Sequence, residues 1–196
     1  MHDIRTLLSC SINIHNRLKA FKKTKKSDIS ESPEYYDYYI LLNYDIELND
    51  AFERSIKEIN TLDVDRLKRI GLRTYAEGKW STHTIIQHLT DWERIWCYRL
   101  LLSVRNEGTI PPGLDHNLMA DHANADDLSI DQLLDELRAV RMATKGMFNN
   151  FDERILRSDC KFNKTQMSVL AMGFNILGHQ IHHFNIIRER YLPLAD

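Results

Sequence analysis

The stretch most suited to chemistry is Gly178-His179-Gln180-Ile181-His182-His183-Phe184-Asn185-Ile186-Ile187-Arg188-Glu189-Arg190, a proline-free run that is apolar at helical spacing. On a helix, side chains four apart are neighbours, about 5–6 Å between Cβ atoms, so His179 and His183 can aim their imidazoles at one point. Two neutral imidazoles are half of a metal site. Nitrogen ligands suit Zn²⁺, Ni²⁺, Cu²⁺ or Fe²⁺, and a catalytic zinc takes about three protein ligands and keeps a position open. The best-placed third ligand is His88, in Ile85-Ile86-Gln87-His88-Leu89-Thr90-Asp91-Trp92, because it lies in the other strongly apolar helical segment. His182 competes with His183, since an i,i+3 pair also converges. Gln180 stands where a His-Glu-x-x-His protease helix carries its general base, which argues against that mechanism. His2, His15, His83, His116 and His122 show no comparable pattern and read as ordinary hydrogen-bonded or half-exposed histidines.

These ligands need two long helices to hold them. Ser81 offers a hydroxyl to cap a helix over 82–103, whose Ile85, Ile86, Leu89, Trp92, Ile95, Trp96, Leu100 and Leu101 cover an arc wide enough for a central position. Asp91, three residues after His88, is a candidate acceptor for an imidazole N–H behind the metal. Ser168 starts the last helix, which Pro193 stops after Leu192. Two further helices complete a bundle. One runs over 45–60 with Ile46, Leu48, Phe52, Ile56 and Ile59 inward, followed by a short helical turn at 63–69. The other runs over 130–149, opened by the capping box Ser129-Ile130-Asp131-Gln132. On it, Arg141 is either a contact for an anionic substrate or an arginine that snorkels outward. Residues 104–128, rich in Gly, Pro, Asp and Asn, form a loop long enough to cover a site. Residues 152–167 read as polar loop.

Ahead of the bundle, Ile4, Leu7, Leu8, Ile12, Leu18 and Phe21 recur at three- and four-residue steps and predict an amphipathic helix over 3–21, docked on the bundle or a second subunit. Lys19, Lys22, Lys23, Lys25 and Lys26 then lead into the polar stretch 27–33, read as a solvated connector. Residues 1–31 are thus set apart from a bundle domain over 32–196. Tyr35, Tyr36, Tyr38, Tyr39 and Tyr44 suit a surface that is half buried and half wet.

The chain's 196 residues, 43% hydrophobic, are ordinary for one globular domain. A formal charge of −2 from 26 basic and 28 acidic residues gives no general attraction to nucleic acid. Cys10, Cys97 and Cys160 are scattered and odd in number, so neither a disulfide framework nor a thiolate zinc site is indicated, and a reducing cytoplasm is expected. No run of about 18 apolar residues marks a membrane span, and the N-terminus lacks a signal-peptide layout.

Glu77-Gly78-Lys79-Trp80-Ser81 leading into His88-Leu89-Thr90-Asp91-Trp92-Glu93-Arg94, and Gly178-His179 through Tyr191-Leu192, resemble the two signature helices of the DinB/YfiT-like superfamily. The resemblance runs from about Ser32 to Leu192 and takes in Pro112-Gly113-Leu114-Asp115 and Glu136-Leu137-Arg138-Ala139-Val140-Arg141. It implies an all-α four-helix bundle with long inter-helix loops, to which this chain adds the N-terminal amphipathic helix. It also implies a divalent metal, zinc or nickel, on His88, His179 and His183 (so favouring His183 over His182), and a homodimer. A glutamate usual three residues after the Trp-Ser serine is Thr84 here, which removes a capping partner and leaves the ligands untouched. The expected activity is that of a metal-dependent transferase or hydrolase acting on a small electrophile, with a low-molecular-weight thiol or water as nucleophile. The thiol follows from the family alone. The alternative is a non-catalytic metal-binding or structural dimeric bundle.

Overall fold

The structure, a computed structural model, describes residues 24–31 and 33–196. Serine hydroxyls open three of its four long helices. Ser81 Oγ accepts from the Thr84 amide, Ser129 from Gln132 and Ser168 from Ala171, each satisfying one of the orphan N–H groups of a first turn. In chain order the helices are α1 (Asp37–Leu41), α2 (Leu48–Asn60), α3 (Val64–Ile70), α4 (Thr82–Val104), α5 (His116–Asp121), α6 (Ile130–Asn149), α7 (Glu153–Leu156) and α8 (Val169–Ile186). A hairpin of β1 (Asp159–Phe162) and β2 (Thr165–Ser168) precedes α8.

Helices α2, α4, α6 and α8 form the four-helix bundle. Both α6 and α8 pack on α2 and on α4, so the sequence neighbours α2 and α4 stand diagonally, as do α6 and α8. Diagonal steps require the long connections seen at 61–81 and 150–168. The core divides into two apolar clusters, one around Phe52, Trp96, Phe148 and Phe174, the other around Ile59, Ile86, Leu134 and Phe184. Among the buried polar residues, Ser55, Glu93, Arg141 and Gln180, one from each helix, join in a single hydrogen-bonded network. Arg141 Nε and Nη2 donate to the Glu93 carboxylate at 2.8–3.1 Å, while Nη1 donates to Gln180 Oε1 at 2.7 Å and to Ser55 Oγ. Arg141 therefore neither snorkels outward nor reaches a substrate. It is 1% exposed, with its fork occupied by the carboxylate facing it from α4.

Two other expectations are corrected. The stretch read as polar loop holds α7 and the hairpin, in which Cys160, Phe162 and Met167 point inward at alternate positions and Asn163 takes the left-handed turn conformation, φ +49°. The last helix is α-helical only to Ile186 and widens into a π turn over Ile187–Tyr191, then a 3-10 turn over Leu192–Ala195 with Pro193 near its start. Of the stretch read as a solvated connector, Ser27, Asp28, Ser30 and Glu31 are exposed, while the residues just ahead of it and Ile29 within it are packed. Thr24 is buried, Lys25 bridges to Glu47, Lys26 Nζ donates to the carbonyls of Leu41 and Asn43, and Ile29 rests on the core. The helix expected over 3–21 lies outside the described residues. Cys97 and Cys160 are free thiols, and no helix of the described residues is long and apolar enough to cross a membrane.

Candidate metal centre

Helix α4 brings His88, and α8 brings His179 and His183, to one point in the seam where those helices pack. His179 Nε2 lies 3.1 Å from His88 Nε2 and 3.1 Å from His183 Nε2, and one nitrogen from each of the three rings falls within 4.8 Å of the others. A tetrahedral ion with M–N bonds of about 2.0–2.1 Å separates its nitrogens by about 3.4 Å, so the spacing suits a single cation. Hydrogen bonding alone serves the cluster poorly. A ring nitrogen carries either one proton or one in-plane lone pair, and His179 Nε2 faces two neighbours. A cation takes a lone pair from each ring and removes the conflict.

Burial keeps the rings in the state a metal needs. Desolvation, with the neighbouring histidines adding to it, pushes His88 down to about 3 and holds His179 and His183 well below the ordinary imidazole value. All three are neutral at physiological pH. Aromatic neighbours fix their planes. Trp96 and Tyr39 meet the His179 ring edge-on at 4.9 and 5.3 Å, and Trp80 leans on His88 at 4.8 Å and stacks over His183 at 6.5 Å. The π turn bears on this arrangement, because it places Tyr191 where its buried hydroxyl donates to the Trp80 carbonyl. Ser81, next to Trp80, has no glutamate partner at Thr84. Its hydroxyl instead donates to Asp126 Oδ1 at 2.9 Å, so an acid from the loop before α6 anchors this corner.

The trio forms part of the wall of a cavity of about 390 Å³, whose other walls come from α1, α4, the 105–115 loop and the hairpin. The stretch 104–128, expected as one loop, contains α5; its loop part lines the cavity with Gly113 and Leu114 and is tied down by the Asn163 amide on the Pro111 carbonyl at 2.7 Å. His182, the rival to His183, lines the cavity but accepts or donates at Nδ1 to the Tyr38 hydroxyl, 3.1 Å away, outside the cluster. Asp91 does not support His88. Its Oδ1 takes Gln87 Nε2 at 2.9 Å and faces Arg94 at 3.6 Å. Three residues on is 60° round the helix, and helical side chains lean toward the N-terminus, so the His88 ring tilts away from Asp91. Among the described residues no carboxylate replaces it, and His183 Nδ1 is buried without a partner there. Sequence reading passed over His116, exposed at the start of α5 with its ring 6.4 Å from that of His88, and Arg99 on the far cavity wall. For His116 the one available signal was a histidine in a loop too long to be a mere connector. Arg99 had a clearer one, an arginine eleven residues after His88 and so on the same face of α4.

A four-helix bundle with a buried three-histidine cluster at the foot of a cavity defines the class of protein. Residues 47–187 match the model of the DinB superfamily, and the chain belongs to that family. Among solved structures it is similar to YfiT from Bacillus subtilis, described as a probable metal-dependent hydrolase with an unusual four-helix bundle topology. The TM-score is 0.58 at 16% identity over 85% of this chain and 91% of that one, a likeness of fold. No curated protein matches the chain.

Proposed function

We propose that His88, His179 and His183 hold a divalent ion, zinc or nickel, and that the protein is a metal-dependent hydrolase or thiol transferase acting on a small electrophile in the cytoplasm. The observation that carries this reading is the convergence of the three Nε2 atoms at the floor of an open cavity. When bound, a divalent cation supplies Lewis acidity, which polarises an electrophile and eases deprotonation of water or a thiol. The chain's own residues do the rest. The three imidazoles, neutral by burial, donate lone pairs and leave the ion its full charge; Trp80, Trp96 and Tyr39 fix the rings and exclude water from their backs. Leu114 and Trp92 give the cavity an apolar wall for substrate, and His116 stands at its edge where a proton can be passed to solvent.

An open cavity argues for this reading over a purely structural metal. Structural sites are closed by four protein ligands, whereas here three ligands face space. A homodimer belongs to the same proposal, with the exposed Tyr98 and Leu101 on the outer side of α4 as the apolar surface it would cover. The test begins with metal analysis of the purified protein, expected to give about one divalent ion per chain. His179→Ala, which removes the ring in contact with both others, is expected to abolish it while the helical circular dichroism persists. The metal-loaded wild type is then assayed with thiols and water against small electrophiles. A wild type that stays metal-free with zinc and nickel supplied refutes the metal; metal without turnover across the panel refutes the enzyme.

A further inference from the structure

Among the described residues two arginines are buried, and they differ in what surrounds their charge. Arg141 is held by Glu93. Arg99, 2% exposed, has no carboxylate within ion-pair distance among the described residues. Its Nη2 donates to the Pro112 carbonyl at 3.0 Å, and its guanidinium lies over the rings of Phe162 and Trp92, 4.5 and 5.6 Å from their centroids. One carbonyl and two aromatic faces occupy little of a five-donor fork, and guanidinium stays charged in proteins. A buried charge without a counter-charge is costly, and the cost falls when an anion arrives. Arg99 also lines the cavity, with Tyr36 beside it: the Tyr36 ring is 5.7 Å from that of Phe162, and its phenol lies in the field of the Arg99 charge.

The position of this charge relative to the histidines is set by α4. Arg99 follows His88 by three helical turns on one face, and its side chain runs back toward the N-terminus over Trp92. The Trp92 ring is 6.0 Å from the His88 ring and 5.6 Å from the Arg99 guanidinium carbon, so cation and imidazole are at most about 12 Å apart along one aromatic wall. We propose that Arg99 is the anion subsite of the cavity, and that the ligand is a small organic carboxylate. Its carboxylate docks on Arg99, its apolar middle lies along Trp92, and its reactive group meets the three histidines. A cavity of about 390 Å³ suits a molecule of that size. The placement of the reactive end rests on the function proposed above; the contact with Arg99 does not.

The test compares two probes that differ in the charged group alone, 3-phenylpropanoate and 3-phenylpropan-1-ol, titrated into the full chain and followed by tryptophan fluorescence. It is run on protein as purified and after chelation, so that a carboxylate bound to metal is not mistaken for one on Arg99. In both, the carboxylate is expected to bind about tenfold or more tightly than the alcohol, the scale of a hydrogen bond to a charged group. Arg99→Gln is expected to level the two probes and Arg99→Lys to keep part of the preference. His179→Ala is expected to keep all of it, so failure of the metal reading leaves this result standing. Equal binding of the probes by chelated wild type, no binding of either, or a preference that survives Arg99→Gln overturns the proposal. The wild-type comparison decides the matter even if Arg99→Gln does not fold.

Discussion

His179 and Gln180 are adjacent in sequence and about 100° apart round α8, and that angle separates two kinds of polar burial. His179 turns to the cavity, where its nitrogen faces two like groups and no complement. Gln180 turns to the bundle interior, where Ser55 and Arg141 satisfy it. Incomplete satisfaction marks the functional side and complete satisfaction the structural one. The structural layer makes its own prediction. Arg141→Met leaves the Glu93 carboxylate buried and unpaired, a loss expected at about 3–5 kcal/mol, whereas Arg141→Met combined with Glu93→Leu removes both charges and recovers most of it. Urea unfolding of the three proteins checks this; a single variant within about 1 kcal/mol of wild type would show that the pair is not sealed from water. Neither partner of this pair was recognisable in the sequence as such. An arginine beside an apolar stripe looks the same whether it snorkels or is buried, and the deciding residue, Glu93, lies on another helix 48 positions away.

At the scale of elements, the His179–His183 pair was legible because its spacing is local, whereas His88, 91 positions from His179, came from its apolar segment and the family resemblance, which also preferred His183 to His182. The i,i+4 spacing on α8 and the serine caps of α4, α6 and α8 are readable within a few residues, and the structure places them as the spacing requires. What lines the cavity was not, because α1, the 105–115 loop and the hairpin reach it through contacts far apart in sequence. The hairpin did leave a faint local trace, alternation of Cys160, Phe162 and Met167 about an asparagine, easily lost against the polar residues between them. Gly178 shows what such long-range fitting demands. A Cβ there would collide with the Tyr39 carbonyl, so its lack of a side chain lets α1 lie directly on α8. Asn43 completes the joint by donating to the Phe174 carbonyl at 2.8 Å. Gly178→Ala is expected to push α1 off α8 and take the Tyr39 ring away from His179, destabilising the fold by about 1–3 kcal/mol. It should also weaken metal binding while leaving the ligands in place. Thermal melts and zinc titration check both, and a variant with unchanged zinc affinity would show that the Tyr39 contact does not hold the site.

For the whole molecule, gathering three neutral imidazoles in one buried seam makes stability depend on pH in a definite direction. In the unfolded chain each histidine takes a proton near pH 6.5. In the fold, burial keeps His88 neutral down to about 3 and holds His179 and His183 well below the ordinary imidazole value. Above pH 6.5 both states are unprotonated at these sites and stability is at its full value. Below it, the unfolded chain binds protons that the folded chain refuses, and stability falls as pH drops. Each histidine contributes at most about 1.4 kcal/mol per pH unit, so metal-free protein is expected to lose thermal stability steeply between pH 7 and 5. His179→Ala should flatten the slope by removing one of the three, whatever it does to the absolute midpoint. Bound metal is expected to raise the midpoint at pH 7 and to steepen the decline, because protons then compete with the ion for the same lone pairs. Chelated wild type that melts at one temperature from pH 7 to 5 would mean that water reaches the rings, and a seam open to water from behind would not hold an ion in the way the geometry indicates.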